Sequence, residues 1–134
     1  MNKRELKFRV WDKKENKFLY ERDACSSRLA VSFAGKLYSG AYDDVLDENR
    51  YVIQQYIGLI DKNGKELYEG DIVRWTDERL NYSIYYEPKL ASFSAKLERK
   101  SGIEFYMLDW DFCESIEGRE VIGNIFETPE LVIN

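Results

Sequence analysis

Residues 54–75 read QQYIGLIDKNGKELYEGDIVRW, and their turn residues, alternation and charge placement all describe one object. Apolar Ile57, Leu59 and Leu67 flank Asp61-Lys62-Asn63-Gly64. Asn-Gly is the strongest short-range hairpin signal, because both residues tolerate positive φ. Glu69-Gly70-Asp71 then turns the chain again before Ile72-Val73. The stretch therefore predicts a strand, a tight turn, a second strand and the start of a third.

Working outward, Leu6, Phe8 and Val10 alternate with Lys7, Arg9 and Trp11, the period-2 pattern of a strand with one buried face. Asp12-Lys13-Lys14-Glu15-Asn16 is a polar turn, and residues 17–20 resume the extended pattern as a second hairpin. The two turns are alike: Asp12-Lys13 before Phe18-Leu19-Tyr20-Glu21, and Asp61-Lys62 before Glu66-Leu67-Tyr68-Glu69. The match is shorter than the ~20-residue period of repeat architectures, so it reads as two similar hairpins. Residues 23–28 are polar and loop-like, residues 29–34 form a short strand, and the acidic run 40–50 is a loop or short helical turn. A further strand covers residues 51–57.

Downstream, residues 82–86 and 103–108 are rich in aromatic and β-branched side chains that suit pleated surfaces. Residues 90–98 fit both a helical face (Leu90, Phe93, Leu97) and alternation (Ala91, Phe93, Ala95, Leu97). The strand reading is preferred, because a hairpin through residues 82–98 suits its neighbours. Residues 119–125 read as a strand, and Thr128-Pro129-Glu130 as an N-cap, a first-turn proline and a first-turn acid. The expected fold is mainly β: antiparallel strands and hairpins, an SH3-like barrel-type C-terminal part, and little helix. Residues 1–50 form an N-terminal β-hairpin subdomain and residues 51–134 a barrel-like β subdomain, packed as one compact unit. Ile72, Val73 and Ile122 are expected to be buried, and Asn63-Gly64 to be an exposed turn.

At 134 residues the chain can bury a core without metal or disulfide support. No apolar run approaches the roughly 18 residues needed to cross a bilayer, so no membrane is expected and the cytoplasm is the expected location. Cys25 and Cys113 stand far apart in no CxxC pair, which signals neither zinc nor a disulfide framework. The chain has no histidine, which removes Ser-His-Asp and Cys-His catalysis, imidazole metal sites and a histidine base. No GxxxxGK[ST] or GxGxxG is present either. The acids Asp109, Asp111 and Glu114, like Asp43, Asp44, Asp47 and Glu48, do not follow the order of an EF-hand loop, and solvated acids account for both groups. No enzyme activity, cofactor or metal is expected, and a carboxylate-dependent metal enzyme ranks a distant third among functions.

The aromatics Trp75, Tyr82, Tyr85, Tyr86, Phe93, Phe105, Tyr106 and Trp110 lie near Lys89, Lys96, Arg99 and Lys100. Aromatic platforms beside cations hold single-stranded nucleic acid, but alternation sends half of these rings into a core. A net charge of −5 further disfavours a phosphate backbone. Trp75, Tyr86, Lys89, Lys96, Arg99 and Lys100 are therefore candidates for a partner face, with nucleic acid as the second reading, bound weakly or not at all. Aromatic residues make up 15% of the chain, more than a domain this small can bury, so a homo-oligomer is expected. Trp11, Trp75 and Tyr86 are candidates to face the partner copy.

The start, residues 7–20, the central block, residues 54–75, and the end, residues 121–131 (Val121-Ile122-Gly123-Asn124-Ile125-Phe126-Glu127-Thr128-Pro129-Glu130-Leu131), together resemble the YopX family. Gly70-Asp71-Ile72-Val73 also resembles the turn into the first long strand of SH3-like barrels, whose fold alone does not determine function. The YopX resemblance implies a small, mainly β protein encoded on a phage or prophage that assembles as a homo-oligomer, with a phage or host protein as a further partner. It brings no catalytic residues. The glycines that carry it, Gly58, Gly64, Gly70 and Gly123, are backbone punctuation. The leading expectation is a non-enzymatic binding or assembly module.

Overall fold

Alternating segments separated by polar turns become antiparallel strands throughout the computed structural model, which describes residues 3–19, 29–39, 44–75, 79–108 and 118–134. In chain order these are β1 (Phe8–Asp12), β2 (Lys17–Leu19), β3 (Leu29–Val31), β4 (Leu37–Ser39), β5 (Asp44–Val45), β6 (Tyr51–Ile60), β7 (Glu66–Tyr68), β8 (Asp71–Trp75), β9 (Leu80–Glu87), β10 (Ser92–Arg99), β11 (Gly102–Met107) and β12 (Arg119–Asn124). Helix among the described residues is limited to short 3-10 geometry, as at Pro129–Leu131. The protein is mainly β, with sheet orders β2-β1-β6-β7, β3-β4-β5 and β11-β10-β9-β8-β12. The chain divides into two compact units, Phe8–Gln54 and Met1–Lys7 with Gln55–Asn134.

In the smaller unit one carboxylate organises the first hairpin. Asp12 Oδ1 accepts the Lys14 N–H at 3.0 Å and the Glu15 N–H at 3.3 Å, which closes the turn between β1 and β2. The Arg50 guanidinium donates from Nε to Oδ1 at 2.9 Å and from Nη2 to Oδ2 at 2.6 Å. Arg50 holds the Asp12 carboxyl down to about 2; burial opposes that shift, and the two turn amides add to it.

The expected alternation in β1 does not hold. Leu6 and Phe8 are exposed, whereas Val10, Trp11 and Asp12 are buried in succession. Trp11, only 4% exposed, meets Phe18 edge to face at 4.8 Å, so it serves this core and is not a partner-facing ring. In the described part of the acidic run, residues 46–50 are the expected loop and turn, but Asp44–Val45 form a short strand instead: β5 pairs with β4, Tyr38 opposite Val45. Beyond it, Asp47 Oδ1 accepts the Asn49 N–H at 2.9 Å.

The larger unit repeats the carboxylate device. Asp61 Oδ1 accepts the N–H groups of Asn63 at 2.8 Å and Lys65 at 2.9 Å, shaping the turn between β6 and β7. Gly64 sits in this turn at φ 80°, where a Cβ would be strained. Asp61 Oδ2 accepts the Val121 N–H at 3.0 Å, and the Lys62 N–H donates to Arg119 O at 3.0 Å, so the turn is fastened to β12. Burial pushes the Asp61 carboxyl up, but the amides of Val121, Lys65 and Asn63 outweigh it and leave the group below its ordinary value. Asn63 and Gly64 are exposed, as expected.

Leu67, Val73, Tyr82, Ile84, Ala95 and Leu97 form the core of this unit. Full burial of each Leu, Val or Ile side chain contributes about 1.5–3 kcal/mol. Residues 92–99 are a strand, consistent with the alternation reading. Ile72 and Val73 are fully buried, but Ile122 is only half-buried. Between Val121, opposite Val73, and Gly123, opposite Ile72, the β12 register shifts, so Ile122 is the extra residue of a bulge and leaves the alternation.

Thr128 also differs from its expected N-cap role. Its hydroxyl makes no cap bond to the 3-10 turn; instead Oγ1 accepts the Asn124 N–H at 3.1 Å and donates to Asn124 O at 3.1 Å. A Cβ on Gly123 would lie 1.9 Å from that Oγ1, so the last segment folds back where only glycine fits. Asn81 and Asn134 complete the closure: Asn81 Nδ2 donates to Leu131 O at 2.9 Å, and Asn134 Oδ1 accepts the Asn81 N–H at 2.7 Å. Ile133 bridges Glu98 on β10.

Both carboxyls titrate below their ordinary value of 3.8 when folded. Their stabilisation is therefore full well above that value and is lost as pH falls through it toward the folded pKa. Asp12→Asn and Asp61→Asn are each expected to lower stability at neutral pH by about 1–3 kcal/mol. Each should also flatten the loss of stability between about pH 5 and pH 2, the window set by the linkage of unequal folded and unfolded pKa values. Urea unfolding across that range checks both, and unchanged midpoints and slopes would contradict these roles. Gly123→Ala should cost about 1–3 kcal/mol by overpacking. A double-mutant cycle with Thr128→Ala should recover part of that loss, and strict additivity would show that the two sites do not touch.

Candidate functional site

The sheet β11-β10-β9-β8-β12 positions every residue of the expected partner face, and side-chain alternation decides which residues meet. Pairing sets Val73 opposite Tyr82, Ala95 opposite Ile84 and Tyr106 opposite Ala95, so these side chains share the core face. Across that face runs a row of rings. The Arg119 guanidinium lies 4.1 Å from the Trp75 ring centroid, Trp75 meets Tyr82 at 6.3 Å, and Tyr82 meets Tyr106 at 5.5 Å. Tyr106 Oη donates to Glu104 Oε2 at 2.6 Å, and retention of that proton pushes the phenol up to about 12. The row spans the sheet from β12 to β11.

Trp75 is thus half-buried, one face of its ring taken by the fully buried Arg119, rather than presented as a free stacking platform. Tyr86 is exposed beside Phe93 at 5.6 Å, near the turn between β9 and β10 that carries Lys89. Lys100 stands in the turn at the other end of β10. Lys96 and Arg99, three apart on β10, project to opposite faces. Each has an acid nearby: Lys96 Nζ lies 2.7 Å from Glu98 Oε1, and Arg99 Nε lies 3.8 Å from Glu104 Oε1. The six candidates are spread over β8, β9, β10 and the turns at both ends of β10, on both faces of the sheet. Tyr86 and Lys89 fall at one end of β10, and Arg99 and Lys100 at the other.

What the candidate set left out is β11 itself. All six of its residues are exposed, and β11 is the outermost strand of its sheet among the described residues. Ile103, Phe105 and Met107 form a stripe on the face opposite the core, 52%, 65% and 61% exposed, with Tyr85 6.1 Å from Phe105. The signal was present in the alternation of Ile103-Glu104-Phe105-Tyr106-Met107, which sets three apolar side chains on one face of the strand.

The acids Asp43, Asp109, Asp111 and Glu114, together with Trp110, Cys25 and Cys113, lie outside the described residues. Asp47 caps its own turn and Glu48 pairs with Lys36. Among the described residues no group of three or more Cys, Asp or Glu is placed to hold a metal ion. No helix among them is long and apolar enough to cross a membrane.

The sequence model of YopX proteins matches residues 7–132. The chain belongs to the YopX family. Among solved structures this YopX chain is similar to protein EF1440 from Enterococcus faecalis, with a TM-score of 0.57 and 29% identity over 96% of this chain and 98% of the other. It also shares its fold with protein yopX from Bacillus subtilis, with a TM-score of 0.50 and 20% identity over 92% and 95% of the two chains. No curated protein matches it.

The covering of Trp75 is testable by fluorescence. Trp75→Phe in an otherwise intact chain should remove an emission component that iodide quenches slowly. If the lost component is instead the readily quenched one, Trp75 is exposed and its packing on Arg119 is wrong.

Proposed function

We propose that this YopX-family protein is a non-enzymatic binding or assembly module, encoded on a phage or prophage, that works in the host cytoplasm by associating with itself and with a phage or host protein. The observation that carries this reading is the exposed apolar stripe on β11. Edge strands are ordinarily short, charged or covered, because an apolar edge invites another strand. Contiguous exposed apolar surface on a folded domain marks an interaction site. Polar chemistry that an enzyme would need is spent elsewhere: Asp12, Asp61, Asn81 and Asn124 are buried and bonded to turns and backbone.

Protein partners rank ahead of nucleic acid, because Lys96 and Arg99 face acids and the net charge is −5. Light scattering coupled to gel filtration at micromolar concentration is expected to give a multiple of 15.9 kDa. A mass near that of one chain at every concentration would overturn self-association. Fluorescence anisotropy with labelled single-stranded DNA is expected to show weak binding that disappears with added salt. Tight binding near physiological salt would put nucleic acid first.

A further inference from the structure

We infer that two copies of this chain join edge to edge through β11, antiparallel, in the register that sets Phe105 opposite Phe105 of the second copy. The inference rests on the self-association proposed above and specifies its surface.

On one side β11 is fully engaged, since β10 pairs with it from Ser94 opposite Met107 to Arg99 opposite Gly102. Among the described residues no strand pairs with its other side. Two identical strands that extend one pleated sheet across a two-fold axis run antiparallel, and directly opposite residues share a face. The axis must therefore pass through a residue pair and not between residues.

Three centres keep most of β11 in the seam. A centre at Glu104 sets two carboxylates against each other, which is destabilising. A centre at Tyr106 sets Glu104 against Leu108 of the second copy. A centre at Phe105 sets Ile103 against Met107, Phe105 against Phe105, and Glu104 against Tyr106 of the second copy. On the stripe face every pair is then apolar, and Phe105 gains an aromatic pair. On the other face the acid and phenol that already bond at 2.6 Å within one chain meet again across the seam. One register satisfies both faces.

A seam of six residues buries less than the roughly 800 Å² per partner of a standard interface, so association should depend on concentration in the micromolar range. The stripe side chains Ile103, Phe105 and Met107 carry most of the newly buried apolar area, and their change from exposed to covered is what the partner copy supplies.

The test uses the full chain with Cys25→Ser and Cys113→Ser to remove native thiols. Phe105→Cys is expected to form a disulfide-linked dimer on mild oxidation, since directly opposite Cβ atoms lie about 4.5–5.5 Å apart. Glu104→Cys and Tyr106→Cys should each cross-link poorly alone and well when the two variants are mixed. Phe105→Lys, whose altered side chain is exposed in one chain, should keep the wild-type melting temperature in solutions too dilute for either protein to associate, and weaken association at least tenfold by light scattering at micromolar concentration. Assembly that persists in Phe105→Lys without cross-linking at 105 would overturn this seam while leaving self-association standing. A wild-type chain that stays monomeric would overturn both.

Discussion

A buried carboxylate that caps its own turn and also bonds a distant segment is the interaction on which each unit of this protein depends. Asp61 closes the turn between β6 and β7 through Asn63 and Lys65 and, with its other oxygen, holds Val121 of β12. Asp12 closes the turn between β1 and β2 and takes the Arg50 guanidinium. A buried charge is tolerable only with several donors, and here those donors are the turns themselves. Tight turns expose amides that the ladder cannot satisfy, and an aspartate at the turn supplies acceptors where they are needed. Local conformation and long-range closure are thereby coupled in one side chain.

The same economy explains the closing segment of the larger unit. Asn124 Oδ1 accepts the amides of Phe126 and Glu127, Asn81 and Asn134 exchange bonds, and Gly123 lets Thr128 come within contact. These polar groups hold backbone in place. The exposed feature on which the proposed association rests is apolar. The stripe on β11 lies at the rim of a sheet whose core side is already filled by Leu97, Ala95 and Ile84. An interaction there adds to a finished fold instead of completing it.

Much of this was legible in the sequence, because turn chemistry and strand alternation are local. Asn63-Gly64 announces its hairpin, and the alternation of Phe93, Ala95 and Leu97 marks β10 even though a helical face fits nearly as well. The likeness of the Asp12-Lys13 and Asp61-Lys62 turns proved deeper than their short match suggested, since each aspartate caps its own turn through Oδ1 and also bonds a distant segment, Asp12 taking Arg50 on both oxygens and Asp61 taking Val121 on Oδ2. Features set by tertiary contacts were not legible. Trp11 is drawn inward by Phe18 against the alternation of its strand, Ile122 sits in a bulge, and Thr128 bonds back to Asn124 instead of capping. The candidate face failed to gather for a similar reason. Nearness of aromatic and basic residues along the chain does not say which face of a strand each occupies, and Lys96 and Arg99 fall on opposite ones.

Hydrogen exchange measured residue by residue at several protein concentrations tests most directly the claim that buried carboxylates secure the fold while β11 is kept for association. The amides of Asn63, Lys65 and Val121 should be protected equally at every concentration, because their acceptor lies within the same chain. Outward-facing amides of β11 should exchange quickly in dilute solution and become protected in the concentration range where the mass rises. β11 amides that exchange quickly at all concentrations, or Asn63, Lys65 and Val121 amides that are unprotected throughout, would contradict the account.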